Sequence, residues 1–326
     1  MADSRINVPP EIRKGEPFEV RISIRHAMET GYRTDTVGKS IPRNVIRTFR
    51  MDRRCRRAWR RAGSRQGSLT MHRVWLVAVA GALAISPAHA QQRALPLDTL
   101  RSGIEFAGAD VRSMQADDVA NPGFLWIERG EKLWREGGKS CNVCHGDAPT
   151  SMRGVAARYP AYDASSATVL DLEARINDCR LRRQGLPALA RESDELLALT
   201  AYVTHQSRGM PEAVNVAGAA RAAFERGRAF YMARHGQMNL SCAQCHDQNW
   251  GKRLYAETLS QGHGNAFPAY KLEWQTMGSL QRRIRACLSG IRAEMPPAGT
   301  PELTDVELYL AWRAQGLPVE APGVRR

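Results

Sequence analysis

Two stretches of the chain carry the same landmarks in the same order, about 108 residues apart. Each begins with a Cys-x-x-Cys-His motif, continues with an aromatic-Pro-Ala-Tyr segment, and closes with a segment that ends in a further cysteine. The motifs lie at 141–145 and 242–246, the aromatic segments at 159–162 and 267–270, and the closing segments at 172–179 and 280–287. A sequence repeated in this way predicts two structural units of one architecture.

The apolar periodicity around these landmarks is helical. Helices are predicted over 123–137, 194–205, 217–234 and 304–314. Thr304 and Glu307 have the spacing of a capping box at the start of the last helix. No alternating apolar pattern of useful length predicts a strand, and the Pro/Gly-rich tail 318–326 is expected to fray. The expected fold class is therefore all-α.

The Cys-x-x-Cys-His motif is the attachment signature of c-type haem. Its two thiols lie on one helical turn, where they can add to the two vinyl groups of haem, and the histidine that follows turns its imidazole to the iron. The predicted attachment residues are Cys141 and Cys144 for the first haem and Cys242 and Cys245 for the second, with His145 and His246 as axial ligands. Zinc would use the cysteines as Cys-x-x-Cys pairs, but structural zinc domains are small and need not lie in a helical unit that closes with a further helix. Disulfides give no reason for a histidine directly after each pair. The sequence predicts two cytochrome c-like haem domains with two covalently bound c-type haems.

Each haem iron needs a second axial ligand, and three arrangements are open. Cys179 and Cys287 occupy equivalent positions in the repeat, so two axial thiolates are favoured, which would give haems of low potential. Met210 and Met295, each followed by proline late in its unit, are rival ligands. A disulfide between the two cysteines would require an unusual packing of the units.

Arginines surround the second of these cysteines. Arg283 lies one helical turn before Cys287, and Arg282, Arg285 and Arg292 belong to the same segment. Arginines lower the pKa of a thiol and bind oxyanions, so the segment predicts a nucleophilic thiolate beside an anion site. A solvated basic helix face is the alternative. Around Cys179, acidic neighbours offset the charge of the matching Arg175.

The N-terminal part differs from the rest of the chain. Residues 71–90 have a basic start, an apolar run of 12 residues and a small-residue cleavage site, which predicts a secretory signal peptide and a periplasmic product with no membrane span after cleavage. Residues 1–70 hold 17 Lys/Arg against 7 Asp/Glu, whereas 91–326 hold 29 against 26. The overall charge of +14 thus gives little support to nucleic-acid binding. We expect translation to begin at Met71, with 1–70 a mis-assigned extension.

The remaining boundaries follow the repeat. The expected divisions are a lead-in segment over 91–120, a first cytochrome c-like domain over 121–212, and a second over 213–326 that contains the active site.

Over residues 95–320 the sequence resembles the SoxA subunit of the thiosulfate-oxidising SoxAX cytochromes. The resemblance rests on both haem motifs, on the segment 177–180 (NDCR) and on 283–292 (RIRACLSGIR). It implies that Cys179 is the axial ligand of the first haem iron. It also implies that Cys287 is both the axial ligand of the second and the catalytic residue, a cysteine persulfide, and that Arg283 binds the substrate.

The resemblance also implies an activity, that of an L-cysteine S-thiosulfotransferase. Thiosulfate would be joined oxidatively to a cysteine of the SoxYZ carrier protein, with electrons passing to the monohaem partner SoxX and then to a small periplasmic cytochrome c. Two other functions are open: a thiosulfate dehydrogenase that forms tetrathionate, and a dihaem electron-transfer cytochrome without catalysis.

Overall fold

The computed structural model describes residues 3–7, 21–25 and 95–326. The predicted signal peptide 71–90, most of 1–70 and the first residues of the lead-in segment lie outside the described residues. Within the described ranges, no helix combines the length and the apolar content that crossing a membrane would need.

Helices form most of the regular structure. They are α1 (Ala109–Ala116), α2 (Phe124–Arg135), α3 (Cys141–His145), α4 (Ala148–Ser151), α5 (Leu172–Cys179), α6 (Asp194–His205), α7 (Arg221–Met232), α8 (Cys242–His246), α9 (Leu280–Gly290) and α10 (Pro301–Arg313). Short 3-10 helices cover Leu97–Thr99, Gly103–Phe106, Ala156–Arg158 and Gly218–Ala220, and a π-helical turn over Arg180–Gln184 follows α5.

Short strands accompany the helices. They are β1 (Asp3–Asn7), β2 (Arg21–Arg25), β3 (Ala161–Asp163), β4 (Thr168–Leu170), β5 (Arg253–Leu254), β6 (Glu257–Thr258), β7 (Ala269–Lys271), β8 (Thr276–Gly278) and β9 (Gly323–Arg325). Antiparallel pairs join β1 to β2, β3 to β4, β5 to β6 and β7 to β8. The prediction of an all-α fold is correct for the helical framework and wrong in leaving out these strands, which from β3 onward are too short to show an alternating pattern.

Helix α10 begins earlier than predicted. Thr300 is its N-cap residue and Pro301 opens its first turn, where proline loses no backbone hydrogen bond. Thr304 and Glu307 therefore lie inside the helix, where both are buried, and the predicted capping box is wrong.

The C-terminal tail is ordered, against the prediction that it frays. Strand β9 pairs in parallel with β7, and Ala321 and Val324 are completely buried. The pairing partner lies about 50 residues earlier in the chain, so the composition of the tail gave no sign of it.

The elements of the two halves follow one order: a long helix, the Cys-x-x-Cys-His helix, a β-hairpin, the helix that carries the third cysteine, and a closing helix. In each half the long helix crosses the closing helix at a glycine. A Cβ atom on Gly130 of α2 would lie 2.1 Å from the Ala198 carbonyl oxygen of α6, and one on Gly227 of α7 would lie 1.9 Å from that of Asp305 of α10. Only glycine permits these close approaches.

Each half has its own apolar core, and one strand of each half's β-hairpin places a side chain in the core of the other half. The first core packs α2 against α6 and contains Met277 from β8 of the second half. The second packs α7 against α10 and contains Val169 from β4 of the first half. The two halves thus complete each other's cores. The domain boundary at 212–213 stays a prediction drawn from the repeat.

A cavity of about 100 Å³ between the halves contains a group of buried acids. Arg191 pairs with Asp171 at 2.8 Å and with Glu173 at 3.1 Å, and the Gln281 amide donates to Asp171 and Glu307 at 2.9 and 3.1 Å. Burial, and then the charge of Asp171, raise the pKa of Glu173 to about 8, and burial also raises that of Glu307. One arginine does not neutralise three carboxylates, so the folded protein retains protons here near neutral pH.

This retention predicts that stability falls as pH rises from about 5 to 8. The folded-state pKa of Glu173 lies above its unfolded value, so its contribution is complete below about 4.5 and is lost as pH rises through 8. Because a glutamine cannot ionise, Glu173→Gln should flatten the dependence of the free energy of unfolding on pH. Relative to the unmodified protein, the variant should become more stable by about 1 kcal/mol for each pH unit in this range. Urea unfolding at several pH values measures this. The exposed Glu294→Gln is the control, and parallel profiles for all three proteins would contradict the prediction.

Candidate active site

The two haem-motif helices α3 and α8 place their cysteines on one helical turn. In α8 the local sequence explains the helix start, because Ser241 is the N-cap residue. The Ser241 hydroxyl accepts from the backbone N–H of Gln244 at 3.3 Å, and the Gln244 side-chain Oε1 accepts from the backbone N–H of Ser241 at 2.8 Å. This capping box uses one of the two variable positions of the motif. The thiols of Cys242 and Cys245 and the ring of His246 thus come from a short, well-capped helix.

The ring of His246 is held by the loop that follows α8. A hydrogen bond of 2.8 Å joins Nδ1 to the Ser260 carbonyl oxygen, and because a carbonyl only accepts, Nδ1 is the donor. Nε2 is therefore the ring nitrogen left to donate to Cys287 or, once it has lost its proton, to bind iron. Gly262, with a φ of +73°, backs the ring so closely that a Cβ atom there would lie 2.7 Å from His246 Cγ.

Cys287 faces this histidine from helix α9. Ser279 caps that helix, and Cys287 lies about two turns further on, exposed to solvent on one side. Desolvation would raise the pKa of Cys287, but a hydrogen bond with His246 and the positive charges of Arg283 and Lys271 outweigh it, so the pKa is lowered. The site favours a thiolate, the reactive form of cysteine.

The three cysteines of the second half form one cluster. Burial, and then the nearby Cys287, raise the pKa of Cys242 to about 12, and the same two causes raise that of Cys245. Of the three thiols, Cys287 is therefore the one that ionises most readily.

The first half brings together the corresponding residues with a different charge balance. Cys179, at the end of α5, is close enough to Cys141 and Cys144 for their charges to interact. Burial raises the pKa of Cys179, and Arg175 does not outweigh it, because that arginine pairs with Asp163 at 3.1 Å and Asp178 at 3.4 Å. This thiol has no bias toward the thiolate.

His145 of the first half is exposed and has an aromatic neighbour. Its ring centroid lies 5.8 Å from that of Trp134, whose indole Nε1 donates to the Gly146 carbonyl oxygen at 3.0 Å. Gly146, with a φ of +64°, ends the helix directly after the motif. Trp134 of α2 thereby ties this motif to the first core.

The rival methionine ligands both lie outside the helices and strands. Met210 packs its methyl group against Gly154, and its backbone carbonyl accepts from Val319. Met295 is 43% exposed on the loop before α10.

The residues brought together at each site fit a c-type haem. Each site offers two thiols in vinyl-reactive spacing, one imidazole and one further thiol, which together supply attachment points and two axial ligands. The ring nitrogen Nε2 of His246, which the Ser260 contact leaves available, and the thiol of Cys287 match the donors that iron requires.

One residue of the second site was missed by the sequence reasoning. Lys271 of β7 acts electrostatically on both Cys287 and Arg283, although it lies 16 residues before the cysteine. The repeat contained a signal for it, since Asp163 is the residue at the equivalent position of the first half.

Comparisons with protein families find two separate matches. Residues 129–211 match the model described as SoxA/TsdA, cytochrome c domain. Residues 6–54 match a different family, described as sulphur oxidation protein SoxZ.

Comparisons with individual proteins cover most of the chain. The L-cysteine S-thiosulfotransferase subunit SoxA of Pseudaminobacter salicylatoxidans is 42% identical over 236 residues, which are 71% of this chain and 82% of that protein. The corresponding subunit of Rhodovulum sulfidophilum is 38% identical over 74% of this chain and 84% of that protein. The crystal structure of SoxXA from P. pantotrophus is similar with a TM-score of 0.67 and 36% identity, covering 69% of this chain and 86% of that one.

Proposed function

Because this chain belongs to the SoxA family of L-cysteine S-thiosulfotransferase subunits, we propose that it joins thiosulfate oxidatively to a cysteine of a SoxYZ carrier protein. The observation that carries the proposal is the placement of Arg283 and Cys287 one turn apart on α9, with the thiol of Cys287 in contact with His246 of the haem motif. A thiolate next to a guanidinium can bond to sulfur while the arginine holds the anionic end of the substrate.

Cys287 is the residue that forms and breaks the sulfur bonds. Its thiolate sulfur bonds to the terminal sulfur of thiosulfate, and the two electrons released reduce two oxidised c-type cytochromes by one electron each. The carrier cysteine, as a thiolate, then attacks that terminal sulfur, the bond to Cys287 breaks, and Cys287 leaves as a thiolate. If Cys287 carries an extra sulfur as a persulfide, the outer sulfur performs the same two steps. Arg283 binds the sulfonate through both.

Two haems complete the proposal. The first is held by Cys141, Cys144, His145 and Cys179, and the second by Cys242, Cys245, His246 and Cys287. Bound haem would supply a one-electron acceptor for this oxidation. The chain's own residues fix the geometry: Ser260 and Gly262 orient the ring of His246, and helix α9 positions Cys287 and Arg283 on one side.

The working assembly contains further proteins. We propose SoxX as the monohaem partner, which the likeness to the SoxXA crystal structure supports, and a small cytochrome c as the final acceptor. The assembly works in the periplasm, to which residues 71–90 direct the chain.

One assay separates this function from its rivals. The purified protein with its monohaem partner is incubated with thiosulfate and oxidised cytochrome c, with and without a carrier protein that has an exposed cysteine. We expect the carrier to gain the mass of one thiosulfate group. Tetrathionate formed without the carrier would indicate a thiosulfate dehydrogenase, and no product would indicate a plain electron-transfer cytochrome.

Intact mass gives a separate prediction about the cofactors. The mature protein should exceed its polypeptide mass by two haems and one additional sulfur atom. Peptide mapping should locate the sulfur at Cys287. A mass that corresponds to one haem would contradict the first haem site.

We also propose that the mature protein derives from a translation start at Met71. The SoxZ match of residues 6–54 supports this, since it assigns the upstream part to a different family from the haem-binding part. Mass spectrometry of the natural protein tests it, and any peptide from residues 11–33 joined to the haem-binding chain would refute it.

A further inference from the structure

The two β-hairpins of the repeat carry opposite charges at one equivalent position. Strand β3 ends in Asp163 and strand β7 ends in Lys271, each directly after an Ala-Tyr pair. The register is the same in both hairpins, since Asp163 pairs with Thr168 and Lys271 with Thr276. The two side chains therefore occupy corresponding places beside the helix that carries the third cysteine.

In the first half this position neutralises the arginine of that helix. Asp163 Oδ1 lies 3.1 Å from Nη1 of Arg175, which is four residues before Cys179, and Asp178 adds a second contact at 3.4 Å. The geometry shows that a side chain at this place in the hairpin reaches the arginine.

In the second half both acids are replaced. Lys271 takes the place of Asp163, and Ala286 takes that of Asp178, while Arg283 corresponds to Arg175. Two cations thus replace one arginine paired with two carboxylates. Both cations lie within electrostatic range of the Cys287 sulfur and of each other.

Burial of the Lys271 ammonium group is energetically unfavourable, and a bound anion would offset this penalty. The residue is only 4% exposed, and its ion pair with the largely exposed Glu273 is 3.7 Å long. Its ammonium group also lies 5.5 Å from the ring centroid of Trp274. The guanidinium group of Arg282 lies over the same ring, 4.2 Å from its centroid. A buried ammonium group with one long ion pair is unfavourable unless a further anion completes its surroundings.

We propose that Lys271 is a second substrate-binding residue, which together with Arg283 binds the sulfonate end of thiosulfate at Cys287. The inference rests on the proposed function, since it deepens the same site. Thiosulfate carries two negative charges, and the two side chains supply two positive ones. The first half, where the equivalent residue is Asp163, lacks this pair and would not bind the dianion.

The test converts the second site to the charge pattern of the first. In the haem-loaded complex with the monohaem partner, Lys271→Asp should raise the KM for thiosulfate at least about tenfold, with a smaller change in kcat, since a charge-assisted contact is lost and Arg283 is neutralised. Lys271→Arg should keep KM within about threefold. Lys132→Asp, the same charge change on the exposed face of α2, is the matched control and should leave KM unchanged.

A second variant avoids dependence on a buried substitution. Glu273 is exposed, so Glu273→Gln removes the competing carboxylate without touching the core, and it should lower KM about twofold. An unchanged KM in both Lys271→Asp and Glu273→Gln would overturn the proposal. So would a loss of kcat at constant KM in Lys271→Asp, which indicates a structural role.

Binding without turnover separates this proposal from the function itself. Calorimetric titration with thiosulfate alone, without carrier protein or electron acceptor, should show binding to the unmodified protein that weakens at least about tenfold in Lys271→Asp. If thiosulfate binds in this way but is never transferred to the carrier, the proposed function fails and the role of Lys271 stands. Equal binding by both proteins refutes the role of Lys271 whatever the transfer assay gives.

Discussion

Replacing Cys287 by alanine should reduce thiosulfate-dependent modification of the carrier protein by at least about a thousandfold. The alanine variant has no sulfur that can bond to thiosulfate, and neither of the other thiols of the cluster can substitute. Burial raises the pKa of both Cys242 and Cys245, and both are the predicted attachment points of haem. The measurement is the initial rate of carrier mass gain at saturating thiosulfate.

The control for this prediction lies on the same helix. Ser289 is exposed two residues after Cys287, so Ser289→Ala tests whether any small change in this part of α9 affects the rate. We expect the rate of the serine variant to stay within about twofold of the unmodified protein. Full turnover by Cys287→Ala would refute the catalytic role, and with it the mechanism proposed for the second site.

Replacing Arg313 by methionine should lower the free energy of unfolding by about 3–5 kcal/mol. Arg313 is 5% exposed, pairs with Asp247, donates to the Gln261 carbonyl oxygen at 2.9 Å and lies 4.6 Å over the ring of Tyr231. Methionine fills similar space but leaves the carboxylate of Asp247 buried with only the Tyr231 hydroxyl, 2.9 Å away, as its partner. Removing one member of a buried ion pair costs more than the pair itself contributes.

This destabilisation should also affect the second haem site, because Asp247 directly follows His246. Denaturant unfolding followed by circular dichroism gives the free energy, and haem absorbance reports the site. Arg228→Met is the matched control: its partner Glu225 lies 3.7 Å away, both side chains are largely solvent-accessible, and we expect a cost below about 1 kcal/mol. Equal costs in the two variants would show that burial does not govern the contribution of Arg313.

The resemblance drawn from the motifs is confirmed by the SoxA relatives, and much of the helical framework was also predictable. Helix α6 covers 194–205 as predicted, and α2 and α7 lie within their predicted ranges. These segments bury a wide apolar face, so their residue pattern repeats over three turns and is readable in isolation.

The strands of the haem units could not be predicted in the same way. Each is two or three residues long, which is too short for an alternating pattern, and what stabilises them is remote in sequence. The tail strand β9 exists because β7 offers a free edge, and Met277 of β8 is buried because the core of the other half receives it. Neither partner is visible in the local sequence.

Haem attachment could be predicted from the sequence alone. One helical turn brings together the thiols of Cys141 and Cys144 and the imidazole of His145, and their counterparts in the second half, whatever the surrounding structure is. The difference in the charges that surround Cys179 and Cys287 depends on more than the local sequence. The sequence indicated it through the arginines of α9, but only the tertiary structure brought in Asp163 and Lys271 from the hairpins. The electrostatic potential at a thiol is a sum over all the charges near it in space, so a residue 16 positions away contributes to it once the fold brings that residue close.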